Sequence, residues 1–540
     1  MTASLPKGGR VRDATGGADS SVRLAEIVAM LSLATDLGYG QPMEHVQRSC
    51  MLALKLSDLL GLDEGERAAV YYVGLLACVG CFADAHEQAR WFGDDITLKS
   101  DLYDVDFAGL PMMTFMMGHV GTGLAAAKRA GRLAAFMAGG RHDVDGMYVT
   151  HCYVAGMLAD RLGLLPSVRE GLQQAYERWD GRGQPNGVQG ASVAMSVRLT
   201  RLCRTVEVFF RRGGVTAAEE VARARSGSEF DPTLVDLFCS HAHRLLEEIA
   251  TTTSWESVVS AEPGLARVLT AAELDDALEA LADYVDLKSP FTIGHSRAVA
   301  DLVAEAGRTC GLAAAETVVL RRAALVHDIG RLGVSNAIWD KPGPLTMSEQ
   351  ERVRLHPYLT ERMLAGSAAL APLGTIAGQH HVRLDGSGYP RGVGRGALST
   401  SAMLLAAADT YQAAREPRPY RPARTADEAA DEVRRDVEAG RLDGQTAHAV
   451  LAAAGHRVGR RRETPAGLTG REVDVLRLLA RGLSNKAIAE RLVITPKTAN
   501  SHVEHIYTKL GVSSRAAASL YAAQSGLLPE AAPNGDRVPA

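Results

Sequence analysis

Five histidines and two aspartates stand close together in the later part of the chain: His295, His327, Asp328, His356, His380, His381 and Asp409. Imidazole and carboxylate are ligands for divalent first-row metals. His295 is in phase with Val299, Leu302, Val303 and Ala306, so it faces inward from the first turn of an amphipathic helix. His327-Asp328 closes an apolar helix containing Val318, Val319, Leu320, Ala324 and Leu325, with Gly330 as its stop. His356-Pro357 opens another helix, His380-His381 precedes the turn Asp385-Gly386-Ser387-Gly388, and Asp409 ends the run Met403-Leu404-Leu405. Any one of these histidines alone reads as a satisfied core or surface residue. Jointly they do not, because clustered buried imidazoles and unpaired carboxylates are costly and a divalent cation resolves both.

The elements that must position this set are helical. The chain has 540 residues, a length that predicts three or four domains. Aromatics at 5% and abundant alanine favour helices over a sandwich of strands. No uncharged apolar run reaches the ~18 residues of a membrane span, and the first twenty residues lack a signal-peptide core. Seven scattered cysteines argue against a disulfide framework and for a reducing cytoplasm. The net charge of −4 carries no polyelectrolyte signature, so any nucleic-acid contact must come from a local patch.

The expected organisation is a disordered tail over 1–21, a helical block over 22–245, a polar linker near 250–262, and a second helical block over 262–455. A basic linker over 456–466, a compact helical segment over 467–528 and a tail over 529–540 complete it. The two large blocks are copies. Trp179-Asp180-Gly181-Arg182-Gly183-Gln184-Pro185 matches Leu384-Asp385-Gly386-Ser387-Gly388-Tyr389-Pro390, and His151 keeps the same register with His356. His45 pairs with His295 in a second register, so the first copy carries extra residues between about 81 and 151.

The second copy resembles the HD-GYP family, the metal-dependent phosphodiesterase branch of the HD superfamily. The resemblance rests on Gly294-His295-Ser296 through Val299, His327-Asp328-Ile329-Gly330-Arg331, His356-Pro357, His380-His381 through Asp385-Gly386-Ser387-Gly388-Tyr389-Pro390, Ala408-Asp409, and Arg418-Pro419-Tyr420-Arg421. It implies hydrolysis of cyclic di-GMP or a related phosphoester on two transition metals, iron or manganese first, with zinc, cobalt or nickel as alternatives. By the same resemblance His295, His327, Asp328 and Asp409 would hold one metal. Asp328 would bridge to a second, held by His356, His380 and His381. His327, Asp328 and Arg331 would be the catalytic signature. Arg331, Arg418 and Arg421 would contact phosphate, and Gly388, Tyr389 and Pro390 would shape the base-binding loop. Arg331 stands where the family usually has lysine, Val382 and Gln412 replace a usual glutamate and aspartate, and Phe291 replaces the extra ligand of trinuclear relatives. Those departures imply two metals and a retuned activity, or a sensor that binds without useful turnover and gates DNA binding.

In the first copy His327-Asp328 becomes Ala77-Cys78, Arg331 becomes Cys81, His380-His381 becomes Ala175-Tyr176 and Asp409 becomes Arg204. His45 and His151 alone cannot hold a metal pair. Cys78 and Cys81 lie in an apolar run and read as core packing, with a redox pair as the alternative.

Past residue 463, eight basic residues outnumber five acidic ones up to 527, the local excess the whole chain lacks. Thr469 and Glu472 form a capping box, Ser484 starts a second helix, and Thr495-Pro496 starts a third. In the third, Ala499, Val503, Ile506 and Leu510 line one face; Lys497, Asn500, Ser501, Glu504 and Thr508 line the other. A polar helix after a tight turn suits a major groove. The segment resembles a LuxR-type helix-turn-helix, through Leu468-Thr469 with Arg471-Glu472, Gly482 to Ala489, and Lys497 to Val512. By that resemblance Asn500, Ser501 and Glu504 face bases, while Thr469, Lys486, Thr498 and Lys509 touch phosphate, with Lys497 on the same surface. The whole reads as an all-α cytoplasmic regulator: two tandem HD-type domains, the first degenerate, then a four-helix reader of double-stranded DNA. Its other expected partners are a cyclic dinucleotide or other phosphoester and a second copy of itself, and no membrane.

Overall fold

The computed structural model describes residues 21–106, 109–264, 266–392, 394–456, 468–524 and 527. The expected basic linker and both expected tails lie almost wholly outside them. Among the described residues the elements are helices and turns, with only isolated strand-like bridges. Contacts divide the chain into two compact units, residues 1–456 and 457–540.

Side chains at helix starts explain where many elements begin. Thr270 with Glu273, Thr346 with Glu349, and Thr425 with Glu428 are reciprocal capping boxes that satisfy otherwise unpaired backbone donors. Helices His45–Leu60 and His295–Thr309 begin differently, each on a left-handed residue: Glu44 at φ 78° and Gly294 at φ 81°. The backbone at these two starts superposes in kind although only one is glycine. Asp36 Oδ1 accepts from Val46 N, and Asp286 Oδ2 accepts from Ser296 N, at matching places in the two halves. A Cβ on Gly330 would lie 2.0 Å from the carbonyl oxygen of His356, and one on Gly80 would lie 2.0 Å from that of His151. Only glycine permits either approach. The halves are therefore one architecture built twice, the first enlarged by helices such as Gly109–His119 and Ala126–Ala135.

The expected linker near 250–262 is instead helical. Helix Pro232–Thr252 runs into it and helix Trp255–Ser260 fills it, capped by Ser254. Trp255 crosses to the second half, so close to Gly366 that a Cβ there would meet the indole at 2.6 Å. The start of the chain is stitched on as well: Leu24 N donates to Arg267 O and Leu269 N to Val22 O, both at 2.8 Å. A free joint is thus replaced by packing. One apolar stretch, Glu64–Phe82, is long enough to cross a membrane, but 83% of it is buried in this unit.

The halves also share polar contacts. Asp95, from the first half, accepts from Ser335 Oγ at 2.7 Å and Asn336 N at 2.8 Å, bracing the start of helix Asn336–Trp339, whose own cap is Ser335. Lys99 at 3.0 Å and Lys288 at 3.7 Å supply its counter-charge. Burial alone would raise the Asp95 carboxyl, but Lys99 and Lys288 outweigh it and bring it down to about 2.

Candidate metal centre and nucleic-acid interface

His295 begins its helix, His327 ends helix Ala314–Val326, His356 begins His356–Leu364, His380 follows Ala371–Ala377, and Asp409 lies within Thr400–Arg415. These ends converge. Three groups bring metal-ligating atoms close together: His295, His327 and Asp409; His327, Asp328 and His380; His356, His380 and His381. Asp328 stands between two sets. Its Oδ1 lies 3.4 Å from His356 Nε2 and 3.5 Å from His380 Nε2. Its Oδ2 lies 3.6 Å from His327 Nε2 and 3.8 Å from His295 Nε2. Asp409 reaches His295 at 3.3 Å through Oδ1 and His381 Nδ1 at 3.6 Å through Oδ2.

The imidazoles are oriented from behind. His327, His356 and His380 each direct Nδ1 at a backbone carbonyl 2.6 Å away, of Ala324, Val353 and Ala377. That contact fixes the ring and leaves the Nε2 lone pair inward, the usual arrangement of ligating histidines. His327 Nε2 is buried without a hydrogen-bond partner, which a divalent ion would supply. Burial lowers the His327 imidazole to about 4 and pushes His356 and His381 down as well, so these rings are neutral at pH 7. For Asp328 burial is outweighed by Arg331 and His327, and for Asp409 by His295 and His381; both carboxyls stay well below the ordinary range. Three neutral imidazoles beside ionised carboxylates fit a divalent metal, whereas at His295 burial is outweighed by Asp409 and Glu416, which hold that ring up at about 10.

Residues outside the motifs complete the arrangement. Glu416 accepts from His295 Nδ1 at 3.0 Å and from Gln412 at 2.8 Å. Thr360 Oγ donates to the His327 carbonyl and accepts from Gly330 N, fixing the turn that carries Asp328. Neither residue carries a motif signal, although Gln412 stood out as a departure. Arg331 donates to Asp328 Oδ2 at 2.7 Å with its guanidinium 4.1 Å from the Trp339 ring centre. Tyr389 lies 4.7 Å ring to ring from His381, beside half-buried Pro390, at the mouth of the cluster. Gly388 leaves no room for a Cβ, which would sit 2.3 Å from Arg383 N. Arg418 donates to the Phe291 carbonyl and to Glu416, one step behind His295. Arg421 is placed otherwise than expected. Its donors go to the carbonyls of Ala413, Ala414, Glu416 and Pro422, so it clasps a helix end and has little left for phosphate.

Among the described residues the first half holds no such centre. His45 faces Glu207 and the Tyr103 hydroxyl, and Arg204 occupies the place of Asp409. Cys78 and Cys81 are buried but not mere apolar packing: Arg204 donates to the Cys78 sulfur, and Cys81 contacts the hydroxyls of Tyr39 and Tyr176.

The second unit is four helices, Gly470–Ala480, Asn485–Leu492, Pro496–Leu510 and Arg515–Gln524, around a core that includes Leu476, Ile488, Ala499 and Ile506. Val493, at φ 55°, makes the turn between the second and third. Lys497, Thr498, Asn500, Ser501 and Glu504 are exposed on the third helix, and Lys486 is exposed on the second. Asn485, Asn500 and Glu504 are linked by hydrogen bonds of 3.0 and 2.8 Å. Thr469 caps the first helix, and Lys509 donates to Glu472 at 2.7 Å, so both contribute to the fold of this unit.

Residues 279–446 match the family described as HD domain, and residues 466–522 match the bacterial regulatory proteins of the luxR family. Over 419 residues the chain is 32% identical to a 3'3'-cGAMP-specific phosphodiesterase 3 of Vibrio cholerae, covering 76% of this chain and 90% of that protein. A cyclic di-GMP phosphodiesterase of Thermotoga maritima is 34% identical over 163 residues, 30% of this chain and 44% of that one. The crystal structure of a V. cholerae cyclic GMP-AMP-specific phosphodiesterase matches with a TM-score of 0.57 and 27% identity, covering 81% of this chain and 98% of that one. With its converging histidines and aspartates, its repeated fold and its C-terminal four-helix unit, the chain belongs to the HD-GYP family of metal-dependent phosphohydrolases, fused to a LuxR-type domain.

Proposed function

We propose that the second half hydrolyses a cyclic dinucleotide and that the C-terminal unit binds double-stranded DNA, in a cytoplasmic homodimer that couples the two. The observation that carries the first part is Asp328, whose two oxygens face different pairs of histidines. His295, His327, Asp328 and Asp409 would hold one ion; Asp328, His356, His380 and His381 would hold the second. Such a pair of iron or manganese ions, when bound, supplies an activated water and offsets charge on the phosphodiester. Arg331 steadies Asp328 and offers its remaining donors to a phosphate oxygen, as a planar fork can. Tyr389 offers a ring face to a base at the mouth of the site. The relatives named for cyclic di-GMP and 3'3'-cGAMP support this substrate class.

One observation favours a second reading, a sensor without turnover. Arg331 already neutralises the oxygen of Asp328 that faces His295 and His327, in competition with a cation. A single experiment separates them. Protein prepared anaerobically with manganese or ferrous iron is assayed for metal content and for hydrolysis of cyclic di-GMP and 3'3'-cGAMP, beside a His327→Ala, Asp328→Ala double variant. The expected result is about two ions per chain and turnover, both lost in the double variant. Metal and nucleotide binding without turnover would establish the sensor. Fewer than one ion per chain would refute the centre itself.

A further inference from the structure

The frame of the metal centre is repeated in the first half, and there a cavity of about 120 Å³ is bounded by residues at the places of the lost ligands, Ala77, Cys78, Tyr176 and Arg204. Arg204 lies between Tyr39 and Tyr103, its guanidinium 5.5 and 5.9 Å from their ring centres. It donates to the Tyr103 hydroxyl at 2.8 Å and to the Cys78 sulfur. Burial pushes both of those groups above their ordinary pKa, so they are neutral partners. Among the described residues no carboxylate forms an ion pair with Arg204; Glu207, one turn along, is taken by His45, Arg48 and Arg211. A half-buried guanidinium with no ion-paired carboxylate among the described residues offers its charge to an anion. One further donor on the cavity wall, the Thr200 hydroxyl, has no hydrogen-bond partner although its residue is only 4% exposed.

The remaining wall decides what kind of anion. It is mostly apolar and aromatic, with Phe92, Leu98, Met147 and Tyr148 among its residues. A volume of about 120 Å³ is close to the ~150 Å³ of an apolar cavity that takes a benzene. It is well below the ~300–1,000 Å³ of pockets for larger ligands, which favours a small ligand over a second cyclic dinucleotide. We propose that this cavity is a binding site for a small planar organic carboxylate, its acid group on Arg204 and Thr200 and its apolar body among the tyrosines. The site is independent of the metal centre and of the substrate proposed for it.

The test uses full-length, metal-loaded protein and isothermal titration calorimetry with sodium benzoate as the probe and benzyl alcohol as its uncharged counterpart. Benzoate should bind saturably at one per chain, and benzyl alcohol at least about tenfold more weakly. Arg204→Met should weaken benzoate by at least about tenfold while metal content and helical circular dichroism stay unchanged. If Arg204→Met loses its fold, Thr200→Val decides, since it keeps the volume and removes only the hydroxyl; benzoate should then bind several-fold more weakly. No saturable binding of benzoate at millimolar concentration, or binding that survives the variant used, overturns the proposal.

Discussion

Glu416 stands one bond behind the metal-facing side of His295, holding Nδ1 while Nε2 points toward Asp409 and Asp328. Carboxylates in that relation orient a ligating ring and raise its basicity, and losing one costs about 10–100-fold in metal affinity. Glu416→Gln keeps the shape and the bond to Gln412 but loses the charge. Metal titration should therefore show one of the two ions weakened about 10–100-fold and the other retained; equal loss of both, or of neither, would contradict the split at Asp328. The seven candidate ligands were legible in the sequence because imidazoles and carboxylates set beside apolar runs have few other uses. Glu416 was not, because it follows its helix in a segment without periodicity, and its partner His295 lies 121 residues earlier. Arg421 misled for a related reason. An arginine after a helix reads the same whether it meets a phosphate or turns back onto that helix's last carbonyls.

Capping side chains account for much of what positions these groups, and Glu472 is the element whose failure is easiest to read. Partial burial would raise its carboxyl, but Lys509, the Thr469 amide and the Thr469 hydroxyl outweigh this and bring it down to about 2. A depressed folded pKa means the contribution is fully present above the ordinary value of 4.5 and is lost as pH falls from there toward 2. For the isolated segment 463–527, Glu472→Gln should cost about 1 kcal/mol at pH 7, in the range of lost helix caps, and the gap to the parent should close at acid pH. A gap independent of pH would mean that packing, not charge, is what Glu472 supplies. This box was legible from two residues at the right spacing. The helical crossing over 250–262 was not. Thr251, Thr252, Thr253 and Ser254 look like a linker, and only the apposition of Trp255 to Gly366, 111 positions away, makes the stretch part of the core.

At the scale of the whole molecule a near-neutral chain has confined its excess of positive charge to one small unit. Lys486, exposed and without a carboxylate partner among the described residues, should supply sequence-independent affinity for DNA. Lys486→Ala should reduce the slope of log affinity against log salt by about 1, read by titrating specific and random duplexes. Asn500→Ala and Glu504→Ala should leave that slope in place and cost about 1–3 kcal/mol of discrimination each. A flat salt dependence for a folded 463–527 segment would make the helix-turn-helix a protein-interaction module instead. The two-half architecture was legible because several residues keep one register; how closely the halves are joined was not, because the joining residues, Val22, Leu24, Asp95 and Trp255 among them, meet partners far away in sequence. Asp95 is the case in point. A gene fragment beginning after residue 262 would lose the carboxylate that Ser335 and Asn336 bond to and the one ion-pair partner that Lys288 has among the described residues, keeping only the Ser335 cap and the more distant Asp340. The catalytic half is not a transferable cassette. What the first half can shed is its ligand set, and what it cannot shed is its body.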